Sequence, residues 1–182
     1  MKVTDILFYG GARQAITHLG LSSLFIEILE IIFKTKIFLL EEKNANSAQV
    51  VREKLYQTFK AHGNWKKGKA GEIDWMKKLK FNETIVVIVG VEVQVSARSD
   101  LLIRDIVHLR NHIRKGKINL GVIIVPSERM QKFLPDRTPS IKDAIRYIED
   151  EFKEAMEMPL VVIGIEHDGP SDKPLPKKKT RG

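Results

Sequence analysis

The stretch from Thr84 to Ser96 is dominated by valine and isoleucine and constrains the fold more than any other part of the chain. β-Branched side chains crowd the turns of an α-helix and pack well on a pleated sheet, so this stretch predicts a long central strand. Side chains of a strand alternate between two faces. Every second position from 85 to 95 is isoleucine or valine, whereas the other face changes from apolar residues to Gly90, Glu92 and Gln94. The strand therefore carries a carboxylate and an amide near its end, beside a glycine that lets a ligand or another backbone come close.

Hydrophobic periodicity, together with cap and turn residues, predicts the other elements. The predicted helices cover 21–32, 46–62, 99–115 and 138–152, the second opened by a capping box of Asn46 and Gln49 and the last by Thr138-Pro139. Further strands are predicted at 36–40, 72–79, 120–125 and 160–165, and loops at 62–71 and 127–137. The order of these elements favours an α/β fold in which helices flank a mixed sheet.

The chain is strongly basic, with a formal net charge of +8 and a pI near 9.6. This charge favours a polyanionic partner, and nucleic acid before a membrane. The apolar segment Leu21 to Leu40 is interrupted by Glu27, Glu30, Lys34 and Lys36, so we interpret it as core and not as a membrane span. The lack of cysteine excludes disulfides and thiolate metal sites, and no secretory signal is recognised; both features suit a cytoplasmic protein.

A chain of 182 residues fits one domain with a substantial core, which we assign to residues 1–168. From Gly169 onward the sequence is rich in proline and lysine. Residues 169–182 are therefore predicted to form a basic, flexible tail.

Acidic residues on two neighbouring predicted strands carry a resemblance to a known family. Asp74 lies on the first strand and Glu92-Val93-Gln94 on the second, followed at once by a helix and a buried strand. Over residues 71–125 this order resembles the core of the PD-(D/E)XK nucleases, although no proline precedes Asp74. Glu-X-Gln in place of the usual Glu-X-Lys resembles the BglII/BamHI-like type II restriction endonucleases in particular. The resemblance implies a Mg²⁺-dependent homodimer that cuts both strands of double-stranded DNA at a short palindromic site; BglII-like relatives suggest a GATC-centred site and a 5′ overhang.

The chemistry of phosphodiester hydrolysis gives an independent reason to single out these residues. The reaction needs a hard divalent cation, for which oxygen ligands are suited. Asp74 and Glu92 would supply two carboxylates, and the carbonyl of Val93 is a further candidate ligand. Gln94 cannot act as a general base but could orient water or hydrogen-bond a phosphate oxygen. Since such nucleases often bring an outer carboxylate from an early helix, Glu27 is a further catalytic candidate.

The resemblance also places DNA reading in two segments that follow buried strands. The candidates are Ser96, Ala97, Arg98 and Ser99 in the first segment, and Ser127, Arg129 and Gln131 in the second. Arginine can read O6 and N7 of guanine in the major groove. Ala97 stands where a polar base-reading residue is expected. Lys66, Lys67 and Lys69 are candidates for contacts with DNA phosphates.

Plainer interpretations of the acidic residues stay open. Glu92 and Gln94 could lie at a solvated strand end. Asp74 could be a surface residue near a turn, with Glu72 in its role if the strand register slips by two. Glu27 could be an exposed helix residue.

Other functions also stay open at this point. His108 and His112 are four residues apart, but no third ligand is evident, so a zinc site is not expected. A non-catalytic DNA-binding protein on the nuclease fold is one alternative function. A structure-specific repair or junction nuclease is another.

Overall fold

A six-stranded mixed sheet with helices on both faces forms the centre of the protein, for which a computed structural model describes residues 1–69 and 72–176. The strands are β1 (Lys2–Tyr9), β2 (Phe38–Leu39), β3 (Lys66–Lys67), β4 (Trp75–Phe81), β5 (Thr84–Val93), β6 (Leu120–Pro126), β7 (Leu160–Glu166) and β8 (Gly169–Pro170). The helices are α1 (Ala12–His18), α2 (Ser22–Lys34), α3 (Ala48–Ala61), α4 (Asp100–Arg114), α5 (Glu128–Lys132) and α6 (Ile141–Arg146). A π turn (Tyr147–Glu151) and a 3-10 turn (Lys153–Glu157) follow α6. The predicted α/β class with a mixed, helix-flanked sheet is confirmed.

The strand order of the large sheet is β1-β7-β6-β5-β4-β3. β5, β6 and β7 are parallel, whereas β1 runs antiparallel to β7 and β4 antiparallel to β5. Parallel strands end at the same edge of a sheet. Glu92, near the end of β5, and Ser127, which follows β6, therefore share one edge, and both proposed recognition segments begin there.

From Val89 to Val93, β5 is buried on both faces, whereas Val86 near its start is exposed. Val87, Val89, Val91 and Val93 pack into the core on the side of α1, α2 and α3, as the alternation predicts. On the other side, a Cβ on Gly90 would lie 3.1 Å from the Cδ1 atoms of both Ile73 and Ile118. The close approach expected at this glycine is therefore made by core side chains and not by a ligand or a backbone.

β1 is the largest element that the sequence patterns did not predict. It is an edge strand, only partly buried, and its pairing with β7 shifts register between Val3 and Asp5. An irregular, half-exposed edge strand has no clean alternation of apolar and polar residues, which is why periodicity does not reveal it.

Two predicted helix starts are wrong. The cap of α3 is Ser47, whose side chain accepts a hydrogen bond from the backbone N–H of Val50. The side-chain amide of Asn46 is buried, and it accepts from the N–H of Leu40 and donates to the carbonyl oxygen of Leu40. The last helix begins not at Pro139 but at Ile141, behind a capping box of Ser140 and its third helical residue, Asp143. Both errors have the same cause. Several residues in each segment can cap a helix, and tertiary contacts determine which of them does so.

Both predicted loops contain regular structure. β3 lies within 62–71 and pairs with β4, and the preceding Trp65 is 6% exposed and stacks edge-on against Phe59. Within 127–137 lies α5, with Ser127 as its cap. Residues 70 and 71 of the first segment lie outside the described residues.

The predicted tail begins with residues that make defined contacts. Gly169 and Pro170 form β8, which pairs in parallel with β2, and Leu175 packs against the core. This differs from a segment that is flexible from residue 169. Residues 177–182 of the predicted tail lie outside the described residues, and one domain over residues 1–168 stays a prediction.

No single helix in the described part of the chain is long and apolar enough to cross a membrane. Length and composition would suffice only for α1 and α2 taken together, and these helices are bent by 115° relative to each other.

Gly10, at the turn between β1 and α1, is a position where we expect alanine to be poorly tolerated. Its φ is +51°, and an added Cβ would lie 2.0 Å from the carbonyl oxygen of Met158. We expect Gly10→Ala to lower the free energy of unfolding by about 3 kcal/mol or more. Gly20 also has a positive φ, +64°, but nothing lies within 4 Å of its Cβ position, so Gly20→Ala should cost only about 1 kcal/mol. Urea unfolding of both variants tests this; equal losses would contradict it.

Candidate active site

The hairpin of β4 and β5 brings Asp74 and Glu92 together. Its tight turn uses Asn82 and Glu83, both with positive φ, and sets Trp75 opposite Val91. Asp74, immediately before β4, consequently lies beside the end of β5. Its backbone N–H donates to Glu92 Oε2 at 3.2 Å.

A second hydrogen bond closes the connection, because Asp74 Oδ2 accepts from the backbone N–H of Val93 at 3.0 Å. Glu72, the alternative to Asp74, instead accepts from the Lys69 amide at 2.9 Å. Asp74 and not Glu72 is therefore bonded to β5.

Glu92 lies in a buried, acidic environment. Its side chain is 2% exposed, so the interpretation of a solvated strand end is wrong. The pKa of Glu92 is raised to about 9, mainly by burial and in addition by the neighbouring carboxyl groups of Asp105 and Asp74. Asp105, from α4, is also 2% exposed, and burial raises its pKa to about 6 against the opposing effect of Arg104. A proton or a cation is needed here to offset the negative charge.

His108 of α4 completes the surroundings of Glu92. Its Nδ1 lies 3.3 Å from Glu92 Oε1. Burial and the neighbouring His112 lower the pKa of His108. The ring of His112 packs edge-on against it with centroids 4.6 Å apart, and His112 Nδ1 is 2.9 Å from the carbonyl oxygen of His108.

The donor set fits a hard divalent cation. Among residues 1–69 and 72–176 no group of three or more His, Asp or Glu side chains is arranged to bind a metal. Mg²⁺, however, is commonly held by only one or two carboxylates together with water. Asp74 and Glu92 provide two carboxylates, which backbone hydrogen bonds hold side by side at the end of β5.

Gln94 does not face solvent in this structure. It is 1% exposed, and its Nε2 donates to Ser96 Oγ at 2.9 Å and to the carbonyl of Arg98 at 3.1 Å. Both amide N–H groups are used, since a primary amide has only two. Gln94 therefore fastens the segment that leads into α4.

Glu27 lies in a separate ion pair. Its carboxylate accepts from Lys77 Nζ at 2.6 and 2.7 Å and from Trp65 Nε1 at 3.0 Å. The side chains of Glu27 and Lys77 are each 16% exposed. Glu27 is thus a partly buried carboxylate bonded to β4 and to the residue before β3, and no hydrogen bond joins it to Asp74 or Glu92 within the described chain.

Beside Asp74 lies an open cleft that the sequence did not reveal. Its volume is about 660 Å³. Arg52 and Tyr56 of α3 form one wall, and Lys67, Lys69 and Arg104 also line the cleft. Arg52 Nη2 lies 3.1 Å from Asp74 Oδ1 and 3.3 Å from Asp74 Oδ2. The catalytic candidate Asp74 therefore opens onto a cleft lined by four cationic side chains and by two further carboxylates, Glu53 and Glu72.

The first candidate recognition segment is mostly accessible. Ala97 and Arg98 are exposed, and Ser96 and Ser99 are half-buried. The Arg98 guanidinium is 65% exposed and bonds Asp100 at 2.6 and 3.2 Å. Lys66 and Lys67 lie exposed on β3, and Lys67 Nζ lies 4.9 Å from the ring centre of Tyr56.

The second candidate segment has buried and exposed parts. Ser127 is 6% exposed and donates to Glu166 at 2.6 Å, and Gln131 Nε2 donates to the carbonyl of Thr138 at 2.7 Å. Arg129 is 61% exposed and bonds Glu41 at 2.8 Å. Of the three candidates, only Arg129 presents a mostly exposed cation.

Three residues near the carboxylates, Arg52, Asp105 and His108, were not assigned to the site from the sequence. A signal for Asp105 was present, because Leu102, Asp105 and Leu109 have the i, i+3, i+7 spacing of one helix face and that face is buried. Arg52 offers no comparable signal, since a charged residue on the polar side of a helix is ordinary.

Comparisons with known proteins complete the description of the site. The family model described as restriction endonuclease BglII/BglIII matches residues 4–165. A crystal structure of restriction endonuclease BglII complexed with a DNA 16-mer aligns with a TM-score of 0.66 and 16% sequence identity, over 92% of this chain and 79% of that chain. At this identity the structural likeness shows the fold alone. No curated protein matches the chain.

Proposed function

The chain belongs to the BglII/BglIII family of restriction endonucleases, and from this we propose that it is a homodimeric, Mg²⁺-dependent type II enzyme that cuts both strands of a short palindromic DNA site, with Asp74 and Glu92 at its active site. The observation that carries the assignment of the site is the pair of backbone hydrogen bonds, Asp74 N–H to Glu92 and Val93 N–H to Asp74, that hold these carboxylates side by side at the end of β5. The pair borders a cleft with several cationic side chains, as a phosphodiester substrate requires.

Asp74 and Glu92, with the carbonyl of Val93, would hold the divalent cation. When bound, such a cation activates water and neutralises charge that develops on the phosphate. The protein positions these ligands through backbone groups, since the Val93 amide holds Asp74 and the Asp74 amide holds Glu92. Two rigid strands therefore determine where the carboxylate oxygens lie.

Gln94 acts indirectly in this proposal. Because both of its N–H groups bond Ser96 and Arg98, it orients the segment that enters α4. That segment contains Arg98, one of the proposed base-reading residues. Gln94 thus couples the catalytic strand to recognition, and its role in orienting water stays a prediction.

DNA recognition is proposed to use two exposed arginines at one edge of the sheet. Arg98 and Arg129 are 65% and 61% exposed, and each is held by a single carboxylate, Asp100 and Glu41 respectively. Each guanidinium group can donate hydrogen bonds to the acceptor atoms that guanine presents in the major groove. Lys66, Lys67 and Lys69 would contact phosphates, in keeping with the net charge of +8.

A palindrome presents the same half-site twice, which a two-fold symmetric dimer matches with one active site for each strand. We propose α4 as a candidate element for pairing the subunits, and a GATC-centred site with a 5′ overhang as the recognition sequence. An enzyme that cuts DNA must share a compartment with it, and we therefore place this one in the cytoplasm.

The proposed function is tested by incubating the purified protein with phage DNA in Mg²⁺ or EDTA and resolving the products on a gel. We expect discrete fragments in Mg²⁺ and intact DNA in EDTA. Sequencing the fragment ends would then identify the recognition site and the overhang. A smear in Mg²⁺ would contradict site-specific cleavage, and uncut DNA would contradict the proposed activity.

A further inference from the structure

The strand that carries Glu92 places a neutral amide, Gln94, where a Glu-X-Lys sequence would place a fixed cation. Gln94 carries no charge, is 1% exposed and uses both N–H groups within the protein. Negative charge on a phosphate in the transition state is stabilised most effectively by cations already in place. A cationic side chain elsewhere in the site would add to the positive charge that the metal supplies.

Arg52 has the position and the geometry for this role. It projects from α3 into the cleft beside Asp74, and its Nη2 is 3.1 and 3.3 Å from the two carboxylate oxygens. Arg52 Nε and Nη2 lie 3.1 and 2.7 Å from the Tyr56 hydroxyl oxygen. The side chain is 30% exposed, so it is held on one side by protein while the other side faces the cleft.

The guanidinium of Arg52 contacts both carboxylate oxygens of Asp74, one of the residues that would hold the divalent cation. An arginine and a metal ion cannot share the same carboxylate oxygens at full strength, because both need the same lone pairs and repel each other. Binding of a cation to Asp74 would therefore free the Arg52 N–H groups that bond Asp74. A guanidinium has five N–H donors in a planar fork that suits phosphate oxygens.

The neighbours of Arg52 favour a phosphate over another ligand. Lys67 Nζ and Arg52 Cζ lie 4.9 and 5.0 Å from the ring centre of Tyr56. Lys69 and Arg104 line the same cleft, so that four cationic side chains stand against the carboxylates of Glu53, Glu72 and Asp74. Several cations around an open cleft suit the charged backbone of a nucleic acid.

We propose that Arg52 pairs with Asp74 in the metal-free protein and contacts the phosphate being cleaved once a divalent cation binds Asp74, thereby supplying the charge that Gln94 lacks. This inference rests on the proposed function. It makes two predictions of opposite sign. Loss of Arg52 strengthens metal binding in the absence of DNA, because a competitor is removed, and weakens cleavage.

The test compares Arg52→Gln, Arg52→Lys and Arg146→Gln with the wild type. Arg146 is a matched control, because it also lies over a tyrosine, 4.6 Å from the Tyr147 ring centre, and beside a carboxylate, Asp143 at 3.9 Å. Mn²⁺ binding without DNA is measured by electron paramagnetic resonance. We expect Arg52→Gln to bind Mn²⁺ about fivefold more tightly, the equivalent of one partly exposed ion pair, and Arg146→Gln to match the wild type.

Cleavage is measured in single turnover at saturating protein and metal. We expect Arg52→Gln to be about 10²-fold slower than wild type, as for loss of one preorganised charge. Arg52→Lys keeps the charge and should recover about a tenth or more of the wild-type rate. Weaker Mn²⁺ binding by Arg52→Gln would overturn the inference, because Arg52 would then only hold Asp74 in place. A cleavage rate of Arg52→Gln equal to wild type would overturn it as well.

Failure of the inference can be distinguished from failure of the proposed function. If the wild type cuts no DNA, the proposed function fails, while Mn²⁺ titration still decides whether Arg52 competes for the cation at Asp74. Should Arg52→Gln fold poorly, Arg52→Lys still decides the issue. If Arg52→Lys matches the wild type in Mn²⁺ affinity and in cleavage rate, the result supports a role of the positive charge. If Arg52→Lys binds Mn²⁺ as the wild type does but cuts no DNA, the result overturns that role.

Discussion

Replacing Glu92 by glutamine should abolish DNA cleavage and at the same time make the metal-free protein more stable. Cleavage is expected to fall by about 10³-fold or more, because the variant loses one of the two carboxylates that we propose as ligands of the cation. The stability gain has a different cause. Glu92 is 2% exposed, and burial beside Asp105 and Asp74 raises its pKa to about 9. Ionising this group therefore costs free energy in the folded state.

The pH dependence of this gain has a definite sign. Below the ordinary glutamate pKa, near 4.5, the carboxyl is protonated in both folded and unfolded chains, and the variant should resemble the wild type. As the pH rises from there towards 9, the unfolded chain releases the proton and the folded protein retains it, so wild-type stability falls. The limiting slope for one proton is about 1.4 kcal/mol per pH unit. Glutamine keeps an oxygen that can accept from the Asp74 amide but does not titrate.

Urea unfolding in EDTA at pH 5 and pH 8 checks the expectation. The stability difference between Glu92→Gln and wild type should be small at pH 5 and clearly in favour of the variant at pH 8. Glu83→Gln is the control, since the Glu83 side chain is 93% exposed. A variant that is less stable at both pH values, or a gain that does not grow with pH, would argue against a strained, protonated Glu92.

Asp74→Asn should also abolish cleavage, but with the opposite effect on stability. Asp74 accepts from the Val93 amide at 3.0 Å and pairs with Arg52 at 3.1 Å. Asparagine can keep one of these bonds through its carbonyl oxygen, but its NH₂ group cannot accept from the guanidinium. We expect a loss of about 1–3 kcal/mol in the free energy of unfolding, since Arg52 is left without its counter-charge in a partly buried place.

Thermal and urea unfolding of Asp74→Asn at pH 7, with a cleavage assay on the same preparation, test this expectation. Asp150→Asn, at an exposed position, is the matched control. Loss of cleavage with unchanged or raised stability would show that the pair of Asp74 and Arg52 contributes nothing to the folded state. Retained cleavage would remove Asp74 from the active site altogether.

Local patterns were reliable wherever a whole element repeats one rule. The run of valines in β5, the apolar stripe of α2 and the continuous apolar runs of β6 and β7 each predicted an element that the structure contains. The order of these elements also predicted the mixed sheet. Each such signal repeats over many residues, so one exception does not obscure it.

Short elements and caps were predicted less well. β1, α1, β3, α5 and β8 were missed, and the starts of α3 and α6 were placed too early. A two-residue strand such as β3 has no period of its own and exists because it pairs with β4. Likewise Asn46 and Ser47 can both cap a helix. They differ in role because the side chain of Asn46 bonds the backbone of the partly buried Leu40.

The sequence by itself determined the strand that ends in Glu92 and Gln94, because side-chain shape and period are properties of neighbouring residues. Only the tertiary structure decided that Asp74 and not Glu72 is bonded to that strand, that Gln94 faces inward, and that α3 and α4 add Arg52, Asp105 and His108 around the carboxylates. The physical reason is that pairing, burial and electrostatic coupling join residues distant in the chain. Such contacts are selected by the packing of the whole domain, and no local pattern encodes them.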